Sequence, residues 1–355
     1  MKVVGIMSGT SLDGVDAALV EITNTKCELL DFQSDPYPAK LRERLLAVSN
    51  RECHPRDIAR LHFELPVYYA RAARKLSGLA ELVGCHGQTI YHEGRRATLQ
   101  IGDGNVLARE LGVPVVSDFR TADIAAGGEG APLVPFLDYR LLRHRSLGRV
   151  ALNLGGIANV TAIPPGAALD RVTAFDTGPA NMAIDGMVSR LTKGRSKFDR
   201  GGKIAVSGKV DAELLARLLR DPYFKRKPPK SCGREQYGAE FLDRLPVSVD
   251  TVATLTAFSA VTIAQSIDRF VKPRMPVQEL IASGGGVHNP QLMAYLSAYL
   301  PGVRIRTIDE FGVSSDAKEA VAFAVMAYET WKRRPSNVPS ATGARKAAIL
   351  GKLSY

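Results

Sequence analysis

Two stretches of this chain are written to one plan. Val3–Val20, VVGIMSGTSLDGVDAALV, runs as a strand, breaks at a turn of small residues and returns as a strand. Val150–Ile163, VALNLGGIANVTAI, does the same around Gly155-Gly156. A strand that ends in Ser, Gly and Thr offers bare backbone amides, which is how a chain approaches an anion closely. Each hairpin opens a run of three strands followed by helices. In the first half these read as 2–7, 17–22 and 28–33, and in the second as 149–154, 160–163 and 172–175. Strands alternating with helical periodicity predict an α/β fold, and the doubled plan predicts a duplicated domain. The boundary is placed in the polar stretch 144–148, giving lobes of residues 1–146 and 147–355, with the C-terminal tail packing back on the first lobe.

A chain of 355 residues is long enough for two cores. With 45% hydrophobic and 23% charged residues it belongs with folded globular proteins. No window holds the ~18 uninterrupted apolar residues of a membrane span, and the start lacks a signal-peptide core, so a cytoplasmic protein with no membrane partner is expected. Cys27, Cys53, Cys85 and Cys232 have no CxxC spacing, which predicts reduced thiols rather than a zinc site or a disulfide framework. The net charge of +11 raises the question of nucleic acid. Lys and Arg are spread along the chain, however, and the densest patch, Lys225–Lys230, has no alternating aromatics, so it reads as a solvated basic loop and no nucleic-acid partner is expected.

Three glycine-rich turns follow apolar strands: Gly9 to Asp16, Gly155 to Asn159 and Gly284 to Asn289. None is a GxxxxGK[ST] loop, and no GxGxxG stands where a dinucleotide needs it. Singly, each is most simply a turn, and Asp13-Gly14 is a favoured hairpin pair. Their recurrence in both halves points to a nucleotide clamped between two lobes.

Five longer segments carry a resemblance: MSGTSLDGVD (Met7–Asp16), GCHGQTIYH (Gly84–His92), SDFRTADIAAGGEGAPLVP (Ser117–Pro135), FDTGPANMAID (Phe175–Asp185) and SGGGVHNP (Ser283–Pro290). In this order, and spanning nearly the whole chain, they resemble the anhydro-N-acetylmuramic acid kinases. The resemblance implies two ribonuclease-H-like domains of the actin/Hsp70/sugar kinase type with an interdomain cleft, ATP and Mg²⁺ as cofactors, and a homodimer. It also implies a reaction in which the 1,6-ether of 1,6-anhydro-N-acetylmuramic acid is hydrolysed while O6 is phosphorylated.

The site residues follow by position. Asp176 matches the catalytic aspartate, the one general base that attack of water on the anomeric carbon requires. Gly9, Thr10, Ser11, Leu12, Asp13, Gly14, Val15 and Asp16 match the stretch that holds ATP, with Asp13 or Asp16 reaching Mg²⁺ through water. Gly155 and Gly156 would close on the phosphates, and Gly284, Gly285 and Gly286 would lie against the adenosine. Arg120 is suited to a carboxylate such as the lactyl group, and His86 and Glu319 to sugar hydroxyls. Locally, Asp176 reads equally as a cap, Arg120 as a surface ion pair with Asp118 or Asp123, His86 as a structural histidine, and Glu319 as a helix-dipole partner. Two residues depart from the family pattern: Ala180 where Gly is usual, and Glu129 where Gln is usual. Two other readings stay open, a nucleotide-driven scaffold or sensor of the actin/Hsp70 type and an ATP-independent glycosidase using Asp176 with Glu129.

Overall fold

The computed structural model describes residues 1–9, 12–50 and 53–355, with side chains for all of these except Asn50 and Arg234. Twelve strands are named in chain order: β1 (Lys2–Ser8), β2 (Gly14–Ile22), β3 (Cys27–Pro36), β4 (Leu82–Glu93), β5 (Ala97–Ile101), β6 (Val115–Ser117), β7 (Arg149–Leu154), β8 (Ile157–Ile163), β9 (Thr173–Pro179), β10 (Glu279–Ser283), β11 (Arg304–Thr307) and β12 (Lys352–Ser354). They form two sheets in two compact units, Met1–Leu141 with Gly312–Tyr355, and Leu142–Phe311.

In the first unit the antiparallel meander β1–β2–β3 is extended from β1 by the parallel strands β4 and β6. In the second, the meander β7–β8–β9 is extended from β7 by the parallel strands β10 and β11. Both sheets therefore run third, second, first, then two crossover strands, which is the ribonuclease-H-like order twice over. The hairpins set this order because an Asp-Gly or Gly-Gly turn can only join neighbours, whereas the parallel additions need helices to cross the sheet.

The division differs from 1–146 and 147–355 at the tail. The helix Lys318–Trp331 packs on β1, β2 and β4, and β12 pairs with β6, so the last stretch is part of the first unit. Two glycines make room for that helix. Gly5 and Gly84 are partners across β1 and β4, and a Cβ on Gly5 would overlap the Ala320 carbonyl oxygen while one on Gly84 would overlap that of Phe323. On the opposite face the helix Pro55–Ser77 buries Leu61, Leu65, Tyr69 and Leu76 against Val4, Ile6 and Leu19, the stripe its sequence period predicts.

The second unit is built around the helix Val249–Ser266. It is buried nearly all round, which its run of Ala, Thr and aliphatic residues permits. Its chain continues through the turn Ile267–Val271, which carries Arg269 and Phe270 toward the candidate site. Two strands are longer than the sequence suggests. β4 continues through His86 to Glu93 because β5 pairs back on it, and β9 holds Asp176 inside the ladder, paired with Asn159, rather than at its end. Among the described residues no helix is long and apolar enough to cross a membrane, and Cys27, Cys53, Cys85 and Cys232 are free thiols.

Candidate functional site

The turn from β1 to β2 closes when Leu12 N donates to Gly9 O at 3.2 Å. Leu12, at φ 58°, and Val15 bury their side chains in the core, so only their backbone faces a ligand. Gly14 is required because a Cβ there would overlap Asp35 O of β3. Thr10 and Ser11 lie outside the described residues. Gln88 braces the turn, accepting from Ser8 Oγ at 2.5 Å and donating to Gly9 O at 3.2 Å. Beside the turn, Met7, Gly9, Asp13, Gly14, Asp16, Ser34, Pro36 and Glu319 line a cavity of about 370 Å³. Burial pushes the Asp16 carboxyl up, Asp316 and Asp13 push it further, and a hydrogen bond with Ser34 opposes them. Among the described residues no three His, Cys, Asp or Glu side chains converge as a metal site. Two carboxylates at the edge of a roomy cavity suit an ion held mostly through water, as Mg²⁺ is.

His86, Arg120 and Glu319 are brought together. Arg120 Nε donates to His86 Nε2 at 3.0 Å, which assigns the ring proton to Nδ1, where it meets Gly87 O at 2.8 Å. Burial, aided by Arg120, holds the His86 pKa well below the usual range, so the ring is neutral. Arg120 Nη1 donates to Gly130 O at 2.8 Å. Gly130 is itself pinned, its N–H donating to Asp123 Oδ2 at 2.8 Å, and Asp123 Oδ1 accepts from Asn337 at 2.7 Å and Thr342 at 2.8 Å. The tail thus fixes the arginine through a buried aspartate. Desolvation lowers the Arg120 pKa to about 10, with Glu319 opposing. Desolvation raises the Glu319 carboxyl, against Arg120, although the side chain opens onto the cavity from the first turn of its helix.

Arg120 is therefore not a surface ion pair with either neighbouring aspartate. Asp118 pairs with Lys352 at 2.6 Å, and Asp123 serves Gly130 and the tail. The extra charge of Glu129 is met by Arg95 at 2.7 Å on the surface. Sequence reasoning missed the Asp123 hub, since its partners lie in a tail with no motif of its own.

In the second unit Asp176 is gripped on three sides. Its N–H donates to Lys230 O at 3.0 Å, its carbonyl accepts from Tyr223 Oη at 2.7 Å, and its Oδ2 accepts from Cys232 N at 3.0 Å. It caps no helix. Burial pushes its pKa up to about 6, opposed by the Cys232 hydrogen bond and by the charge of Lys230. The basic loop is solvated at Lys225, Arg226 and Lys227 but not at Lys230, which is 6% exposed.

The other glycine turns divide by role. Gly155 and Gly156 spend their carbonyls on the N–H groups of Asn181, Ala180 and Met182, capping the helix Asn181–Leu191. Ala180 has a negative φ of −127° but, with ψ −113°, lies in neither the helical nor the extended region, and its methyl is buried in the core. Gly284 and Gly286 pack on β7, where a Cβ would crowd Asn153 and Leu154. Gly285 alone of these three faces open space, lining a cavity of about 240 Å³ with Asn181, Asp185, Asp199, His288 and Asn289. Burial and the charge of Asp199 push Asp185 up to about 7.

The family model described as anhydro-N-acetylmuramic acid kinase matches residues 1–355. A protein of that description from Caldanaerobacter subterraneus subsp. tengcongensis is 42% identical, over 99% of this chain and 96% of its own length. One from Salinibacter ruber is 43% identical over the same shares. Among solved structures, component A of the (R)-2-hydroxyglutaryl-CoA dehydratase of Acidaminococcus fermentans is 12% identical with a TM-score of 0.46, covering 93% of this chain and 98% of that one.

Proposed function

The chain belongs to the anhydro-N-acetylmuramic acid kinase family, and from that premise we propose how its residues share the work. It is an ATP-dependent kinase that opens the 1,6-anhydro ring of 1,6-anhydro-N-acetylmuramic acid and phosphorylates O6, giving N-acetylmuramic acid 6-phosphate and ADP in cell-wall recycling. Asp176 takes a proton from water as the water oxygen bonds to the anomeric carbon. The carbon–O6 bond breaks, and O6 accepts the γ-phosphoryl group as ADP leaves, so no separate strong acid is needed. ATP supplies the phosphoryl group, held by the backbone of Gly9 to Asp16, Gly155 and Gly156, with Gly285 at the adenosine. Asp13 or Asp16 would hold Mg²⁺ through water, where the ion would offset phosphate charge. Arg120 takes the lactyl carboxylate and Glu319 a sugar hydroxyl, while neutral His86, its two ring nitrogens engaged by Arg120 Nε and Gly87 O, holds Arg120 in place. The reading extends to a homodimer, supported by the prevalence of two-fold assemblies, and to the cytoplasm, supported by the free cysteines.

The observation that carries this reading is the Asp176 carboxyl, with one oxygen held by a backbone N–H and a pKa near 6. Weighing the sugar product with and without ATP tests it. A product heavier by both water and phosphate, formed only with ATP, is expected. Hydration without ATP would establish the glycosidase reading instead, and an unchanged sugar the scaffold.

The same carboxyl fixes a pH dependence. A base works only when unprotonated, so kcat/KM for the sugar should fall as pH drops through about 6. Rates at saturating ATP from pH 5 to 9 check this, and a profile flat down to pH 5 would show that the carboxyl of the base does not titrate near 6.

A further inference from the structure

Lys230 ends a basic run but is placed unlike the rest of it. Its Nζ lies 4.5 Å from the centroid of the Tyr223 ring, 5.0 Å from that of Phe270 and 5.9 Å from that of Phe175. Its hydrogen bond goes to a carbonyl, Tyr223 O at 3.3 Å, not to a carboxylate. Taking an ammonium out of water is costly, and aromatic faces return only part of that cost. A methionine would fill the same cage without that cost, so packing alone does not account for a lysine here.

What surrounds the cage is the base. Lys230 O accepts from Asp176 N, Tyr223 of the cage donates to Asp176 O, and Cys232, two residues on, donates to Asp176 Oδ2. On the reading that Asp176 is the general base, we infer that Lys230 is its positioning residue: the caged ammonium anchors the segment that aims the carboxylate and favours its ionised form. The charged and titratable groups around the pair are few. Lys230 faces Cys232, Arg226, Arg269 and Asp176, while Asp176 faces Lys230, the Tyr223 hydroxyl and the thiol and N–H of Cys232. Burial brings the Lys230 ammonium down to about 8, so it is charged across the range in which Asp176 loses its proton.

The test is a pH profile of sugar phosphorylation for wild type, Lys230→Met and Lys230→Arg, with KM for sugar and ATP and thermal melting. Removing the cation should move the acidic limb of Lys230→Met up by about one unit, a five- to tenfold loss of kcat/KM at pH 6 by the usual reach of a nearby charge. The two profiles should meet above pH 8, and both KM values should stay within about twofold. Lys230→Arg keeps the charge and should restore the limb. Should Lys230→Met fail to fold, Lys230→Gln serves in the same comparison. An unmoved limb, or a loss confined to KM, overturns the inference, the second because Lys230 would then contact a ligand. An active Asp176→Asn would instead overturn the assignment of the base, whatever the lysine variants do.

Discussion

Asp176→Asn is expected to lower kcat by about a hundred- to ten-thousandfold, since a positioned general base contributes roughly 10²–10⁴ and, among the described residues, no other carboxylate lies in its hydrogen-bonded surroundings. The amide keeps the size of the carboxylate, and its carbonyl oxygen can still accept from Cys232 N, so the segment should hold its place. ADP affinity should be unchanged, because no nucleotide contact has been placed on this side chain. Turnover within tenfold of wild type would remove Asp176 from the mechanism.

Stability separates a lost base from a lost fold. The folded-state pKa of Asp176 lies above its ordinary 3.8, so the native protein binds the proton more tightly than the unfolded chain does. Its contribution to stability is present below pH 4 and is lost as pH rises through about 6. The asparagine has no such loss, and by the size of the shift it should be more stable than wild type by up to about 3 kcal/mol above pH 7. The difference should vanish near pH 4. Melting curves at the two pH values show it, and a variant less stable than wild type at pH 8 would mean that the inactivity came from damage.

How much of this was legible in the sequence depends on the range of the signal. Asp13-Gly14 and Gly155-Gly156 are local: turn chemistry and alternation suffice to give both hairpins, and with them most of each sheet. The helix Lys318–Trp331 is also visible as a helix. Its allegiance is not, because Ala320, Ala324 and Ala327 say only that some backbone comes close, not which sheet supplies it. Lys230 fails for a similar reason. A lysine after Lys225-Arg226-Lys227 reads as solvated, and of the three rings that cage it only Tyr223 is near in sequence, while Phe175 and Phe270 come from far away in the chain. Asp176 was found through the motif around it, but its grip by Tyr223 and Cys232 is a tertiary fact.

Gly5→Ala tests the most demanding of those tertiary facts. Glycine weakens a strand and so marks a close approach of another backbone, and VVGIM and LVGCH each place one at the middle of a buried strand. They lie side by side in register, forming a flat groove for the helix Lys318–Trp331. A methyl on Gly5 would overlap the Ala320 carbonyl oxygen and stand 2.7 Å from Ala324 N, both main-chain atoms of a helix that cannot yield by turning a side chain. The helix must lift, taking with it Glu319 and Phe323, whose ring lies 4.6 Å from that of His86. Overpacking of this kind costs about 3 kcal/mol or more, a fall in melting temperature of some 10 °C for a unit of this size. The survivors should also lose sugar affinity more than ATP affinity, because Glu319 and His86 shift together. A variant that melts within about 2 °C of wild type would show that this helix does not rest on β1 as closely as these contacts require.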